Sequence, residues 1–244
     1  MIEFFVKVVL SYLLGSIIGS LVVGRLYGGV DIRKEGSGNA GATNALRTRG
    51  KMFAVWVLLI DLLKGWIAVR FISPKTFGPA PAEAGAFLSW FHWLQWSTVA
   101  CAIAVIIGHV YPLWHGFRGG KGVATVVGVV VGLNPQLLLP LLATWLISVM
   151  LFGYVGLASM IATLSLPVAA IIGMRAYSPF SAFPVTGQRI PMLQESSAID
   201  LQLLAFGIAA AALIAFTHRS NIARMRAGTE PRVRKLWLFR GKRA

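Results

Sequence analysis

The sequence predicts an all-α, polytopic membrane protein of seven transmembrane helices, with its N-terminus outside and its C-terminus cytoplasmic. Three observations lead there. Of 244 residues, 57% are hydrophobic and 13% charged, with a mean hydropathy of +0.73, whereas soluble domains carry about 25% charged residues. The apolar residues gather into runs approaching the roughly 20 residues that a helix needs to cross a bilayer core. The Lys and Arg residues crowd into alternate connecting segments, the bias that orients membrane proteins with basic loops inside. A formal net charge of +15 would suggest nucleic acid for a soluble chain; the apolar runs exclude that class, and no nucleic-acid partner is expected. Cys101 is the single cysteine, so neither an intramolecular disulfide nor a cysteine metal cluster supports the fold.

The expected spans lie at 5–24, 53–72, 95–112, 123–134, 137–153, 157–173 and 200–217. The first opens with Glu3 beside Lys7 rather than a basic cluster and ends without a small-residue cleavage site, so it reads as a helix and not as a signal peptide. The second carries Asp61 and Lys64 three apart on one face. Charges at that depth need a partner or a polar interior, and the two read as an internal ion pair beneath a site. The fourth and fifth are short and are separated at Leu133 to Gln136, where Pro135 disfavours helix in the residue before it; both read as tilted or incomplete. The seventh contains the Ala209 to Ala212 run, small residues that let helices pack closely.

Orientation follows from the basic residues. Six lie from Arg25 to Lys51, Arg118 and Lys121 follow, and nine lie from Arg219 to Arg243, whereas 73–94 and 174–199 hold only Lys75, Arg175 and Arg189. Residues 1–230 read as one integral-membrane domain and 231–244 as a basic cytoplasmic tail, whose Trp237 and Phe239 between charges suit an anionic lipid surface.

Three polar segments on the inner side carry the chemistry. The first runs from Glu35 to Arg47, with glycines beside Ser37, Asn39, Thr43 and Asn44. Such a loop can turn its N–H groups toward one point as a concave anion site, and Arg47 can grip two phosphate oxygens. In the second, from Gly108 to Thr125, an anion held by Gly119, Gly120 and Gly122 would sit at a helix N-terminus with Lys121 beside it. The likeness to a P-loop is superficial, because His115 stands where its first glycine belongs and Gly122 where Ser or Thr would hold magnesium. His109 and His115 lie six apart with no carboxylate near them in sequence, so no metal site is expected. In the third segment, His218 and Asn221 are neighbours on one helix face at the inner boundary, where they could hold substrate hydroxyls. Gly228, Thr229 and Glu230 follow. The turn from Tyr154 to Ser159 reads as a helix junction.

These motifs, Ser37 to Asn44 with Arg47, Gly108-His109 through Pro112 to Gly119 and Thr125, and His218-x-x-Asn221 with Gly228 to Glu230, resemble the bacterial acyl-phosphate:glycerol-3-phosphate acyltransferases, the PlsY family. The resemblance spans residues 1–230. It implies transfer of a fatty acyl group from acyl phosphate to glycerol 3-phosphate, giving lysophosphatidic acid and phosphate at the inner face of a bacterial cell membrane, as the first step of phospholipid synthesis and without a cofactor. Partners would be the two substrates and membrane lipids. By the same resemblance Ser37, Gly38 and Asn39, with Lys121 and its glycines, would bind the acyl-phosphate head. Arg47, His218 and Asn221 would hold glycerol 3-phosphate, and Asn44, Thr125, Ser159 and Glu230 complete the binding set. Lys121, His218 and Ser37 are the candidate catalytic residues. The Tyr154 turn departs from the family pattern, which has Ser at the position of Gly156 and a basic residue at that of Gly153.

The residues also exclude competitors. Acyltransferases that pair His with Asp five residues on are ruled out, because His92, His109, His115 and His218 are followed there by Ser97, Trp114, Gly120 and Ala223. A transporter of organic phosphates would place polar groups through the membrane depth; here only the second span does so.

Overall fold

The computed structural model describes residues 2–73, 84–171, 201–233 and 236–239. All regular structure among them is helical. In chain order the helices are α1 (Ile2–Gly15), α2 (Gly19–Leu26), α3 (Ala42–Arg49), α4 (Lys51–Ile67), α5 (Ala84–Val110), α6 (Val123–Leu133), α7 (Leu138–Phe152), α8 (Val155–Ile171), α9 (Leu201–Thr217) and α10 (Arg219–Arg226). A π-helical turn, Ala68–Ile72, continues α4. Residues 74–83, the expected loop at 174–199 and the end of the basic tail lie outside the described residues, whereas 84–94, expected as loop, are helical and belong to α5.

Three stretches are long and apolar enough to cross a membrane, Lys51–Ile72, Trp96–His115 and Pro135–Phe152, and two more qualify if the bent pairs α1–α2 and α9–α10 each count as one span. The 11 residues of α6 reach only about 16 Å at 1.5 Å per residue, short of a full crossing. The fifth expected span is thus a full-length candidate, the fourth is incomplete, and the sixth, α8 with 17 residues, also falls short of that length. On the outside, Val9, Leu63, Ile147, Leu164 and Ile208 are exposed, the surface that lipid tails solvate as well as they do leucine.

The first expected span is not continuous. Its helix breaks between Gly15 and Gly19 with a bend of 46°, and α4 satisfies the freed backbone groups. Lys64 Nζ donates to the carbonyls of Gly15 (3.0 Å) and Ile17 (2.8 Å), and the Gly19 N–H donates to Asp61 Oδ1 (3.1 Å). Asp61 and Lys64 form the expected ion pair at 2.9 Å, both almost fully buried. Backbone polar groups stranded in an apolar interior are costly, so the pair and the break account for each other.

Packing relies on close backbone approach. Helix α1 lies along α5, α4 along α6, and α8 between α7 and α9. A Cβ on Gly65 would overlap the Thr125 carbonyl and one on Gly128 the Leu62 carbonyl, so α4 and α6 meet with nothing between them. The main core, including Ile106, Val129, Leu166, Phe206 and Ile214, joins α5, α6, α8 and α9. The α3 region, the ends of α5 and α9, and the start of α6 meet at one end of the bundle.

Candidate active site

Asn44 organises the first polar loop. Its Nδ2 donates to the carbonyls of Ile32 (2.9 Å), Glu35 (3.0 Å) and Asn39 (2.9 Å), and its Oδ1 accepts from the Ser37 N–H (2.8 Å). The side chain expected to bind substrate is therefore spent on shaping the loop, and it is 2% exposed. Asn39 Oδ1 takes the Gly41 N–H at 2.7 Å, so its amide N–H groups are what it can offer a ligand. Gly38 supplies a left-handed turn (φ +72°) and its N–H donates to the Glu35 carbonyl; it shapes the turn and does not line the cavity. Arg33 staples this loop to the next, with Nη1 donating to the carbonyls of His115 (3.1 Å) and Arg118 (2.9 Å) while the same guanidinium pairs with Asp31.

In the second loop the N–H groups of Gly119 and Gly120 donate to the carbonyls of Val110 and His109, both at 3.1 Å. They are unavailable to an anion, a correction to the glycine cradle expected from sequence. Their glycine identity has another cause: a Cβ on Gly119 would overlap the His109 carbonyl and one on Gly120 the His109 ring. The chain doubles back on the end of α5 and thereby presents Lys121. Gly122, with φ +88°, then turns the chain into α6, whose first N–H groups have no helical partner. Thr217 Oγ1 donates to the Lys121 carbonyl (3.1 Å), tying α9 to this turn. Thr125 is fully buried facing α4, its hydroxyl unpartnered among the described residues; it too stands apart from the cavity.

Lys121 Nζ donates to Asn221 Oδ1. Asn221 Nδ2 donates to Glu230 Oε1 (2.6 Å), and Arg224 Nε donates to Glu230 Oε2 (2.6 Å). Burial pushes the Lys121 ammonium down to about 8, with Arg224 and Arg47 acting the same way and Glu230 opposing them. His218, 3% exposed, places Nδ1 2.8 Å from the Ile214 carbonyl. A carbonyl only accepts, so Nδ1 carries the proton and Nε2 keeps its lone pair. Burial, then the Lys121 charge, push this imidazole down to about 4, so it is neutral at pH 7.

These groups line a cavity of about 340 Å³. Its rim is polar, with Ser37, Asn39, Thr43 and Arg47 from the first loop, Lys121 and Gly122 from the second, and His218, Asn221, Arg224 and Glu230 from the third. Its other wall is apolar: Leu58, Val126, Val127, Leu141, Leu142 and Trp145. Ser159 lines it as well, but its hydroxyl donates to the Val155 carbonyl (2.9 Å) and accepts from Trp145 Nε1 (3.3 Å), so it holds the tryptophan. Asp61 and His109 form the floor. Lys64 Nζ lies 2.7 Å and Asp61 Oδ1 3.3 Å from His109 Nδ1.

Of the expected site residues, Ser37, Asn39, Asn44, Arg47, Lys121, Gly122, Ser159, His218, Asn221 and Glu230 converge on this cavity, and Gly38, Gly119, Gly120 and Thr125 do not. Sequence reasoning missed His109 as the third member of the Asp61–Lys64 cluster and Arg224 as the partner of Glu230. The Gly108-His109 pair within the motif was the available signal for the first. Arg224 and Glu230, six apart across a Gly228 turn with φ +70°, give no periodic signal.

The chain matches the family model described as glycerol-3-phosphate acyltransferase over residues 5–228. It is 36% identical over 237 residues to a glycerol-3-phosphate acyltransferase of Chlorobaculum tepidum, covering 96% of this chain and 97% of that one. It is 38% identical over 232 residues to one of Bordetella pertussis, with coverage of 93% and 91%. Crystal structures of PlsY, an integral membrane glycerol 3-phosphate acyltransferase, superpose with a TM-score of 0.70 at 35% identity in the glycerol 3-phosphate form, and 0.68 at 34% in the lysophosphatidic acid form, each covering 94% of both chains. A bundle with apolar outer faces, a cavity that joins basic groups to an apolar wall, and these full-length likenesses agree: the chain is a membrane acyltransferase and belongs to the glycerol-3-phosphate acyltransferase family.

Proposed function

We propose that this protein transfers a fatty acyl group from acyl phosphate to glycerol 3-phosphate, releasing phosphate and lysophosphatidic acid. The observation that carries this is the cavity's mixed lining, in which the basic Lys121, Arg47 and Arg224 share one space with the apolar Leu58, Val126, Leu141 and Trp145. A donor with a phosphate head and an acyl tail fits both at once, and a soluble phosphorylated acceptor needs only the rim. The solved PlsY forms with glycerol 3-phosphate and with lysophosphatidic acid support this acceptor and product. The charge bias of the connecting segments supports an N-terminus outside and a cavity at the cytoplasmic face of a bacterial inner membrane.

The reaction balances without a covalent enzyme intermediate. The acceptor's hydroxyl oxygen attacks the acyl carbonyl carbon, the bond from that carbon to the phosphate oxygen breaks, and phosphate departs with the electron pair. The hydroxyl proton passes to His218 Nε2 or to the leaving phosphate. Lys121 and the side-chain amide of Asn39 stabilise the developing negative charge, and Ser37 and Arg47 position the heads. Most of the acceleration comes from juxtaposition and from donors already in place. Asn44, Ser159, Gly38, Gly119 and Gly120 act through the shape they give the site.

Purified protein in detergent tests the reading. Phosphate should be released only when acyl phosphate and glycerol 3-phosphate are both supplied, and acyl-CoA or acylated carrier protein should fail as donors. Turnover with either thioester would overturn the donor assignment; a labelled acyl-protein adduct would overturn direct transfer.

A further inference from the structure

The basic tail does not simply leave the bundle. The Val233 N–H donates to the Gly153 carbonyl (2.8 Å), the Leu238 N–H to the Met150 carbonyl (2.9 Å), and Trp237 Nε1 to the Leu151 carbonyl (3.2 Å). Met150 and Leu151 belong to the last turn of α7, where carbonyls have no helical donor. The Arg232 guanidinium lies 4.7 Å from the Tyr154 ring centroid and 4.1 Å from that of Trp237, within cation–π range of both and beside the negative end of α7. Gly153 ends α7 in a left-handed turn (φ +76°), and the tail packs closely on it, with Trp237 3.1 Å and Arg232 3.3 Å from where a Cβ would stand.

Both ends of this contact lead into the cavity. Two residues before Arg232 stands Glu230, which holds Asn221 and Arg224. Just beyond Tyr154 come Val155 and Gly156, which line the cavity, and the missing Cβ of Gly156 makes room for the Asn221 amide. The match to the family model stops at residue 228, before the tail residues Arg232, Val233, Trp237 and Leu238. We infer that the tail is a strap fastened on the α7–α8 turn, with Arg232 and Trp237 as positioning residues that fix Glu230, and through it Asn221 and Lys121, against α8. Glu230 is itself tied to the end of α10, its N–H donating to the Arg224 carbonyl (3.2 Å) and its carboxylate accepting from Arg224 Nε, so the strap holds that helix end, with Asn221 on it, against the α7–α8 turn.

The strap rests on the site assignment proposed above, so Lys121→Ala is assayed alongside. In neutral detergent, Arg232→Ala and Trp237→Ala should each lower kcat/KM by roughly 10- to 100-fold, the scale of a misplaced binding group. Trp237→Phe, which keeps the ring beneath Arg232, should recover most of it. The alkaline limb of the pH profile should also move to lower pH. Lys121 is faced by Arg224, Arg47 and the neutral His218, and Glu230 is the carboxylate that opposes them. Wild-type kcat, KM and pH profile in both alanine variants, with Lys121→Ala inactive, would overturn the strap alone; an active Lys121→Ala as well would overturn the site. Lost activity with an unmoved alkaline limb would mean mere structural support, and a defect confined to anionic vesicles would mean a lipid anchor; either overturns the proposal. The exposed Arg232 carries the test if Trp237→Ala does not fold.

Discussion

Lys121→Ala tests the site most directly. The ammonium stands on a half-buried rim, hydrogen-bonded to Asn221 and pushed down to about 8 by burial and by Arg224. Substrate phosphate would restore the negative charge this lysine lacks. Losing one such contact in a water-poor site costs about 2–4 kcal/mol of transition-state stabilisation, which at 1.36 kcal/mol per decade is roughly a 30- to 1,000-fold fall in kcat/KM. Lys121→Arg should recover little, because a planar fork replaces a compact charge between Gly122 and Asn221. The pH dependence has a definite sign. Its value lies below the ordinary lysine range, so the charged form persists below about pH 8 and is lost above it; kcat/KM should be flat near neutrality and fall through that limb. Arg224→Gln removes a like charge and should move the limb upward, at some loss of Glu230 anchoring. The assay is phosphate release across pH 6 to 10, at saturating and limiting glycerol 3-phosphate, on variants with unchanged detergent elution. Folded Lys121→Ala with wild-type kcat/KM would refute the reasoning and move the phosphate site to Arg47 and His218.

Asp61→Ala leaves the buried Lys64 without its carboxylate and the Gly19 N–H without its acceptor, and should cost about 3–5 kcal/mol, read as a large drop in the thermal transition. Asn44→Ala removes an amide whose two hydrogens are shared among three carbonyls and whose oxygen takes the Ser37 N–H, about three hydrogen bonds at about 1 kcal/mol each; it should lower thermal stability and activity together, whereas a residue that only touched substrate would lower activity alone. Cysteines introduced at positions 89 or 181 should react with an impermeant thiol reagent outside intact cells and one at Arg226 should not; the reverse pattern would refute the topology.

How much the sequence revealed divides along a physical line. Residue types bearing charge or lone pairs were legible: Lys121, His218, Asn221, Arg47 and Glu230 were all expected, and all meet in one cavity. The ion pair of Asp61 and Lys64 was legible too, since two charges three apart in an apolar run must face each other or a polar interior. Backbone amides were not. Gly119 and Gly120 looked like an anion cradle, yet their N–H groups belong to the carbonyls of α5, and only the path of the chain decides who takes an amide. Asn44 lines the cavity as expected, but its amide is already bonded within the loop, which its position in the sequence did not announce. Helix continuity was likewise invisible at residues 16–18, where hydropathy is high but the bend is held by side chains more than forty residues away. The tail reads as a lipid-surface or a solvated segment because Trp and Phe alternate with charge; Trp237 is bonded to the end of α7, while Leu238 and Phe239 stay exposed.

The protonation states argue for one division of labour. The rim gathers Lys121, Arg47 and Arg224 against Glu230, an excess of positive charge that attracts two phosphates and drives a proton off any base placed among them. His218 is accordingly neutral, and with Nδ1 committed to Ile214 its Nε2 can only accept. Pushed down to about 4, it is too weak to ionise an alcohol unaided. A phosphate monoester, titrating near 6, is at least as basic, and two bound phosphates oppose the same cations that depress the imidazole. On the reading proposed above, the hydroxyl proton then passes to substrate phosphate, and the two bound phosphates complete the electrostatics of the site.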